Sequence, residues 1–225
     1  MQKFDTPAPV STVLDIPAGL IRLIAADRAD TTVEVLPADA SKGRDVKAAE
    51  QITVDYRDGV LRIEAAEAKN RILGSGSGSV EVTVRLPAGS RVDAKAAAGE
   101  LRGVGRLGDV TFEGARATVE LDETADAQLT LMAGDISVGR LSGDARISTQ
   151  KGDLTIAEAV RGTLTLRTES GDITLAAARG ASAALDAGTG HGRISNSLHN
   201  TDGSEAAALN IHATTAHGDI TARSL

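Results

Sequence analysis

The first chemistry this sequence offers is a column of aspartates. Asp135, Asp153, Asp172 and Asp219 each follow glycine in a Gly-Asp pair, and Arg193 occupies the same slot in a further repeat. Carboxylates stacked about 5 Å apart on neighbouring strands would offer the oxygen ligands that Ca²⁺ takes. The calcium-binding β-roll pattern GGxGxDxUx does not occur in the chain. An Asp beside a Gly also caps backbone amides at a bend, and that reading is preferred. No metal ligand is therefore assigned. Whether the Asp135/Asp153/Asp172 column holds a cation is a question of geometry that spacing does not answer.

Three further sets carry chemical potential. Ser137, Thr155, Thr174, Ser195 and Thr221 form a hydroxyl column of the kind that binds ice or ordered polysaccharide, and also of the kind that outward strand positions favour. His191 and His217 share a repeat slot, with His212 nearby, but zinc needs three or four convergent ligands. Asp153, Asp172 and Arg193 fit the acid-and-arginine scheme of β-helical polysaccharide lyases only by analogy of fold. The short loops and scarce aromatics argue against it. GxSxG, P-loop and HExxH motifs are absent from the sequence. The sequence thus names no catalytic, cofactor-binding or metal residue, and the protein is expected to be non-enzymatic.

The elements that would position these side chains follow from composition and periodicity. The 225 residues are 41% hydrophobic, yet only Phe4, Tyr56 and Phe112 are aromatic. The core must be aliphatic and layered. There is no Cys, so disulfides and thiolate metal sites are excluded. The opening residues have no apolar signal region, and no run is long enough for a membrane span, which leads to the expectation of a soluble cytoplasmic protein. The net charge of −7 is uneven: 13 − 14 = −1 over residues 1–98 and 11 − 17 = −6 over 99–225. An acidic repeat region repels phosphate, so nucleic acid and anionic membranes are not expected partners.

Gly134, Gly152, Gly171, Gly192 and Gly218 recur at steps of 18, 19, 21 and 26, the last step holding the insertion HNTDGSEA at 199–206. Gly99 and a degenerate Ala117 extend the series backwards. Within each repeat apolar residues alternate, as in Ile136/Val138, Leu154/Ile156, Ile173/Leu175 and Leu209/Ile211. Alternation over three to five residues predicts short strands with one buried face. Leu141, Val160, Ala178 and Leu198 mark a short third face. Strands that short bury their apolar face only by stacking on equivalents. The predicted fold is all-β: a β-solenoid, a single-stranded parallel β-helix of about 18 residues per rung, right-handed by the usual sense of parallel crossovers. About seven rungs fill 99–225, stacked in sequence order.

Residues 1–98 lack that period and read as an irregular β lead-in that caps the solenoid or adds irregular rungs. YRDGVLRIE is a predicted hairpin with Asp58-Gly59 at its turn. IPAG (16–19) and LPAG (86–89) read as one turn device used twice. ADASKGRD (38–45) and KNRILGSGSGS (69–79) read as loops. At the other end the chain stops at HGDITARSL, a few residues past its last repeat, which predicts an open edge there unless 199–206 closes it.

The IPAG and LPAG turns, GVLRIEA and the repeated GDI(S/T)(V/L) rungs together resemble the bacterial candidate-adhesin family of β-strand-repeat domains, a domain of unknown function. The resemblance runs from about Val13 to the end. It implies a β-solenoid and a non-enzymatic role connected with the cell envelope, and it carries no catalytic residues. The expected function is therefore structural: an adhesin-like scaffold linked to the envelope or its stress response, associating with itself through the C-terminal solenoid edge or with a protein the sequence does not identify. The alternative is a module that binds a glycan or other envelope ligand on one flat face.

Overall fold

A computed structural model describes residues 1–65, 78–199 and 208–225. It opens with β1 (Gln2–Asp5), the long β2 (Ser11–Ala26), β3 (Asp30–Pro37), a helix α1 (Gly43–Glu50), β4 (Ile52–Arg57), β5 (Val60–Ala65) and β6 (Val80–Pro87). Two long bent strands follow, β7 (Arg91–Arg106) and β8 (Val110–Thr124). Then come the pairs β9 (Ala127–Ala133) and β10 (Ile136–Leu141), β11 (Ala145–Lys151) and β12 (Leu154–Ala159), β13 (Gly162–Ser170) and β14 (Ile173–Ala177). The last two pairs are β15 (Ala183–His191) with β16 (Ile194–Ser197), and β17 (Leu209–His217) with β18 (Ile220–Ser224). The chain is all-β with one short helix, and its strands join one long mixed sheet that coils on itself in a solenoid-like stack.

From β7 onward the ladders are parallel, and each coil lies on the next. Ile136 pairs with Leu154, and Leu154 with Ile173. One aliphatic column shows the stack whole. In register run Val82, Ile21, Leu101, Val119, Ile136, Leu154, Ile173, Ile220 and Ile194. The first eight are at most 1% exposed, whereas Ile194 is 46% exposed. Burying each of the eight contributes roughly 1.5–3 kcal/mol against leaving it in water.

The column also reveals the order of coils, which is not the expected one. β17 and β18 pair on one side with β13 and β14 and on the other with β15 and β16. The coil written last in the sequence, including HGDITARSL, is inserted between the two written before it. HGDITARSL is therefore paired on both sides, and among the described residues it is the coil 183–197 whose strands pair with one neighbouring coil. The early part of the chain does something similar. β2 pairs in parallel with β7 on one side and with β5 and β6 on the other, so the β5–β6 coil lies outside one that precedes it. Position 98 falls inside β7, within this unbroken ladder.

Beyond the β5–β6 coil the chain reverses direction. β4 runs antiparallel to β5 through Asp58 (φ 50°) and Gly59 (φ 78°), the predicted hairpin. β3 runs antiparallel to β6, and β1 to β3. ADASKGRD, read above as a loop, contributes the first residues of α1. No side chain caps that helix. It is held by tertiary contacts: Ala48 and Ala49 pack against the core, and the Asp45 carboxylate accepts the Ser79 amide at 3.0 Å. Most of KNRILGSGSGS and HNTDGSEA lies outside the described residues.

Candidate functional site

The coils bend at Gly134, Gly152, Gly171 and Gly218, each followed by Asp, and at Gly192, followed by Arg193, and the bends stack. Gly134, Gly152, Gly171, Gly218 and Gly192 all have φ between +128° and +155°, where L side chains are strained. Space is as strict as torsion. A Cβ on Gly152 would lie 2.1 Å from the Gly134 carbonyl oxygen, and one on Gly171 would lie 2.0 Å from that of Gly152. Ala117 stands in the same slot, in register with Gly99, without a positive φ.

The aspartates bond from coil to coil rather than within their own turns. Asp135 Oδ1 accepts the Asp153 amide (2.9 Å), Asp153 Oδ1 that of Asp172 (2.8 Å), and Asp172 Oδ1 that of Asp219 (2.8 Å). Asp219 Oδ1 then accepts the Arg193 amide (2.8 Å). This last bond, reinforced by the Arg193 side chain, holds the Asp219 carboxyl below the ordinary aspartate pKa. The ladder visits Asp219 before position 193, as the threaded order requires. One oxygen of each carboxylate is committed to an amide. Among the described residues no three His, Asp or Glu side chains are grouped to hold a metal ion.

A second ladder escaped the sequence reading. Thr168 Oγ1 donates to the Gly152 carbonyl (3.1 Å), Thr215 Oγ1 to that of Gly171 (3.1 Å) and Thr189 Oγ1 to that of Gly218 (2.9 Å), and Thr149 reaches Gly134 at 3.3 Å. Three of these threonines, Thr149, Thr168 and Thr215, are at most 5% exposed. The signal lay in the sequence as the Thr-x-x-Gly that leads into Gly152, Gly171, Gly192 and Gly218.

The other candidates are placed plainly. Ser137, Thr155, Thr174, Thr221 and Ser195 do line up in register on the outward side. The His191 and His217 rings stack with centroids 4.8 Å apart, and His212 Nδ1 lies 3.3 Å from Asp186. Asp153 and Asp172 serve the ladder, and Arg193 pairs with Asp219. On the opposite bend a second short relay, Asp126 to the Asp144 amide and Asp144 to the Thr163 amide, borders an open groove of about 560 Å³. Arg91, paired with Asp109, and Arg146 also line it.

The outermost coil, β15–β16, differs from every inner one. It pairs with β17–β18 on one side, and Ser197 and all of β16 are exposed. The Leu209 amide donates to the Ser182 carbonyl (3.2 Å). In a parallel ladder bonding alternates along the strand, so the amides of Leu185, Ala187 and Thr189 point away from β17.

A stack of short parallel coils with a glycine-lined bend is the architecture of a β-repeat domain. The chain belongs to the Toastrack DUF4097 family, whose profile matches residues 16–223; this is a domain of unknown function, as the IPAG, LPAG and GDI(S/T) resemblance implied. No curated protein matches the chain. Among solved structures it is similar to a candidate cell-adhesion protein from Clostridium sporogenes (13% identity, 100% of this chain and 98% of that one, TM-score 0.38). It is also similar to a candidate adhesin from Bacteroides fragilis (11%, 100% and 95%, 0.37) and a candidate lipid-binding protein from Parabacteroides distasonis (10%, 100% and 95%, 0.39).

Proposed function

We propose that the protein is a non-enzymatic scaffold, a right-handed solenoid rod in which 1–98 form the capped lead-in and 99–225 the regular stack, and which associates with a second copy through the coil 183–197. One observation carries the reading. This coil presents outward backbone amides on a strand that contains neither Lys nor Pro, the residues that ordinarily blunt a sheet edge. Two copies related by a two-fold axis would join β15 to β15 as an antiparallel ladder. The groove between Arg91 and Arg146 supports a second reading, the binding of a polar envelope ligand such as a glycan. A glycan array with no binder removes that one.

Light scattering tests the scaffold. A concentration-dependent doubling of mass is expected, and Ala187→Pro, which removes an outward amide, is expected to abolish it while thermal unfolding stays cooperative. A chain that is monomeric at high concentration, or dimers indifferent to Ala187→Pro, would refute pairing at this edge.

A further inference from the structure

The inserted coil suggests how two copies engage. β17 and β18 are held on both faces. Toward β13–β14 run the amide bonds Gly171 to His217 (2.9 Å) and Ile173 to Asp219 (2.9 Å), with the Asp172 and Thr215 links. Toward β15–β16 run Gly218 to His191 (2.9 Å) and Ile220 to Arg193 (2.9 Å), with the Asp219 and Thr189 links. The two walls of this slot, 162–177 and 183–197, are complete in the chain before the coil that fills it.

Among the coils from β9 onward, connection lengths set this one apart. Between β10 and β11 lie three residues (142–144), between β12 and β13 two (160–161), and between β14 and β15 five (178–182). Between β16 and β17 lie eleven (198–208). Connections of two or three residues set a coil on its neighbour, and the five of 178–182 already carry β15–β16 past the place that β17–β18 fill. Eleven residues reach up to about 36–40 Å, several times the ~4.8 Å step between coils.

Resting on the reading of this end as the place where copies meet, we infer that the coil 209–224 is an exchangeable insert. In a pair of molecules each places β17 and β18 between β13–β14 and β15–β16 of the other. Every ladder bond, Asp link and Thr link is reproduced in the exchanged form, so only the path of the connection and the protein concentration separate the two states.

The full chain contains no cysteine, which makes the test direct. Thr174 and Thr221 are register partners across the slot and face away from the core. Thr174→Cys and Thr221→Cys chains are mixed, held near the urea midpoint, returned to buffer and treated with a short bismaleimide. The expected product has twice the chain mass, forms only in the mixture, and increases with concentration. The double variant Thr174→Cys/Thr221→Cys, linking within one chain, controls for reach, and Thr165→Cys with His212→Cys is an independent pair. If the double variants link internally while mixed single variants do not, exchange is overturned. Dimers that Ala187→Pro abolishes would then leave edge pairing standing, and monomers throughout would remove both. Mixed product that survives Ala187→Pro establishes exchange without edge pairing.

Discussion

The two ends of the stack solve the same problem differently. At the β5–β6 end the chain folds back on itself: β4 and β3 run antiparallel over the last coil, and Phe4 and Tyr56, two of the three aromatic rings, meet at 5.4 Å. Charges cluster there too. Lys3 and Arg28 both bond to Asp30 and hold its carboxyl below the usual range, Lys3 contributing most. At the β15–β16 end the chain stays parallel, and Ile194 is left half in water. The comparison shows that a repeat supplies its own sides but not its own ends, since only non-repeating sequence satisfies the final edge.

Substitutions at matched positions sharpen that contrast. The largest effect is expected from Gly171→Ala, where a Cβ collides with backbone at φ +152°. Chemical denaturation should give a loss of more than about 3 kcal/mol, while Gly188→Ala in the outer coil, which meets nothing within 4 Å, should stay within about 0.5 kcal/mol. Next comes the cap. Tyr56→Ala removes a half-buried ring, with an expected loss of about 1–2 kcal/mol and, if the cap protects the β5 edge, new concentration-dependent association in light scattering.

Thr168→Val leaves the half-buried Gly152 carbonyl without this donor and should cost about 1 kcal/mol, whereas Thr189→Val in the outer coil should cost less. The smallest effect concerns pH. A carboxyl whose folded pKa is depressed adds stability that is present above its unfolded pKa and is lost as pH falls through the folded value. Asp219 is such a group. Hydrogen exchange should therefore show the amides of 193–197 losing protection below about pH 4 before those of 154–156 do. Equal loss in both coils would contradict the assignment of the Asp219–Arg193 link to the outer attachment.

Much of this was legible in the sequence, for a physical reason. Alternating aliphatics and positive-φ glycines are local requirements, so Ile136, Leu154 and Ile173 declare their stacking, and Asp58-Gly59 its turn. The order of the last coils was not legible. Thr189-x-x-Gly192 and Thr215-x-x-Gly218 present equivalent bends to the same Gly171 and Asp172, so the residues leave both orders open, and the unequal steps of 21 and 26 were the trace of the choice. IPAG and LPAG look alike but differ in use. A Cβ on Gly19 would lie 1.8 Å from the Val80 carbonyl oxygen, whereas one on Gly89 would meet Pro9 at 3.8 Å. The helix at 43–50 was hidden because its support, Ser79 and the core, lies far along the chain. As for the site, the aspartate column was found but assigned to its own turns, and the threonine ladder was passed over because buried hydroxyls look like ordinary strand residues.

Threading also governs how the stack bears force. A pull on Ser224 acts on a coil bonded along both faces, so it has two ladders to break. A pull on Ser197 acts on a coil that, among the described residues, is bonded along one face. Tension applied at these two points, 27 positions apart in the sequence, should meet very different resistance.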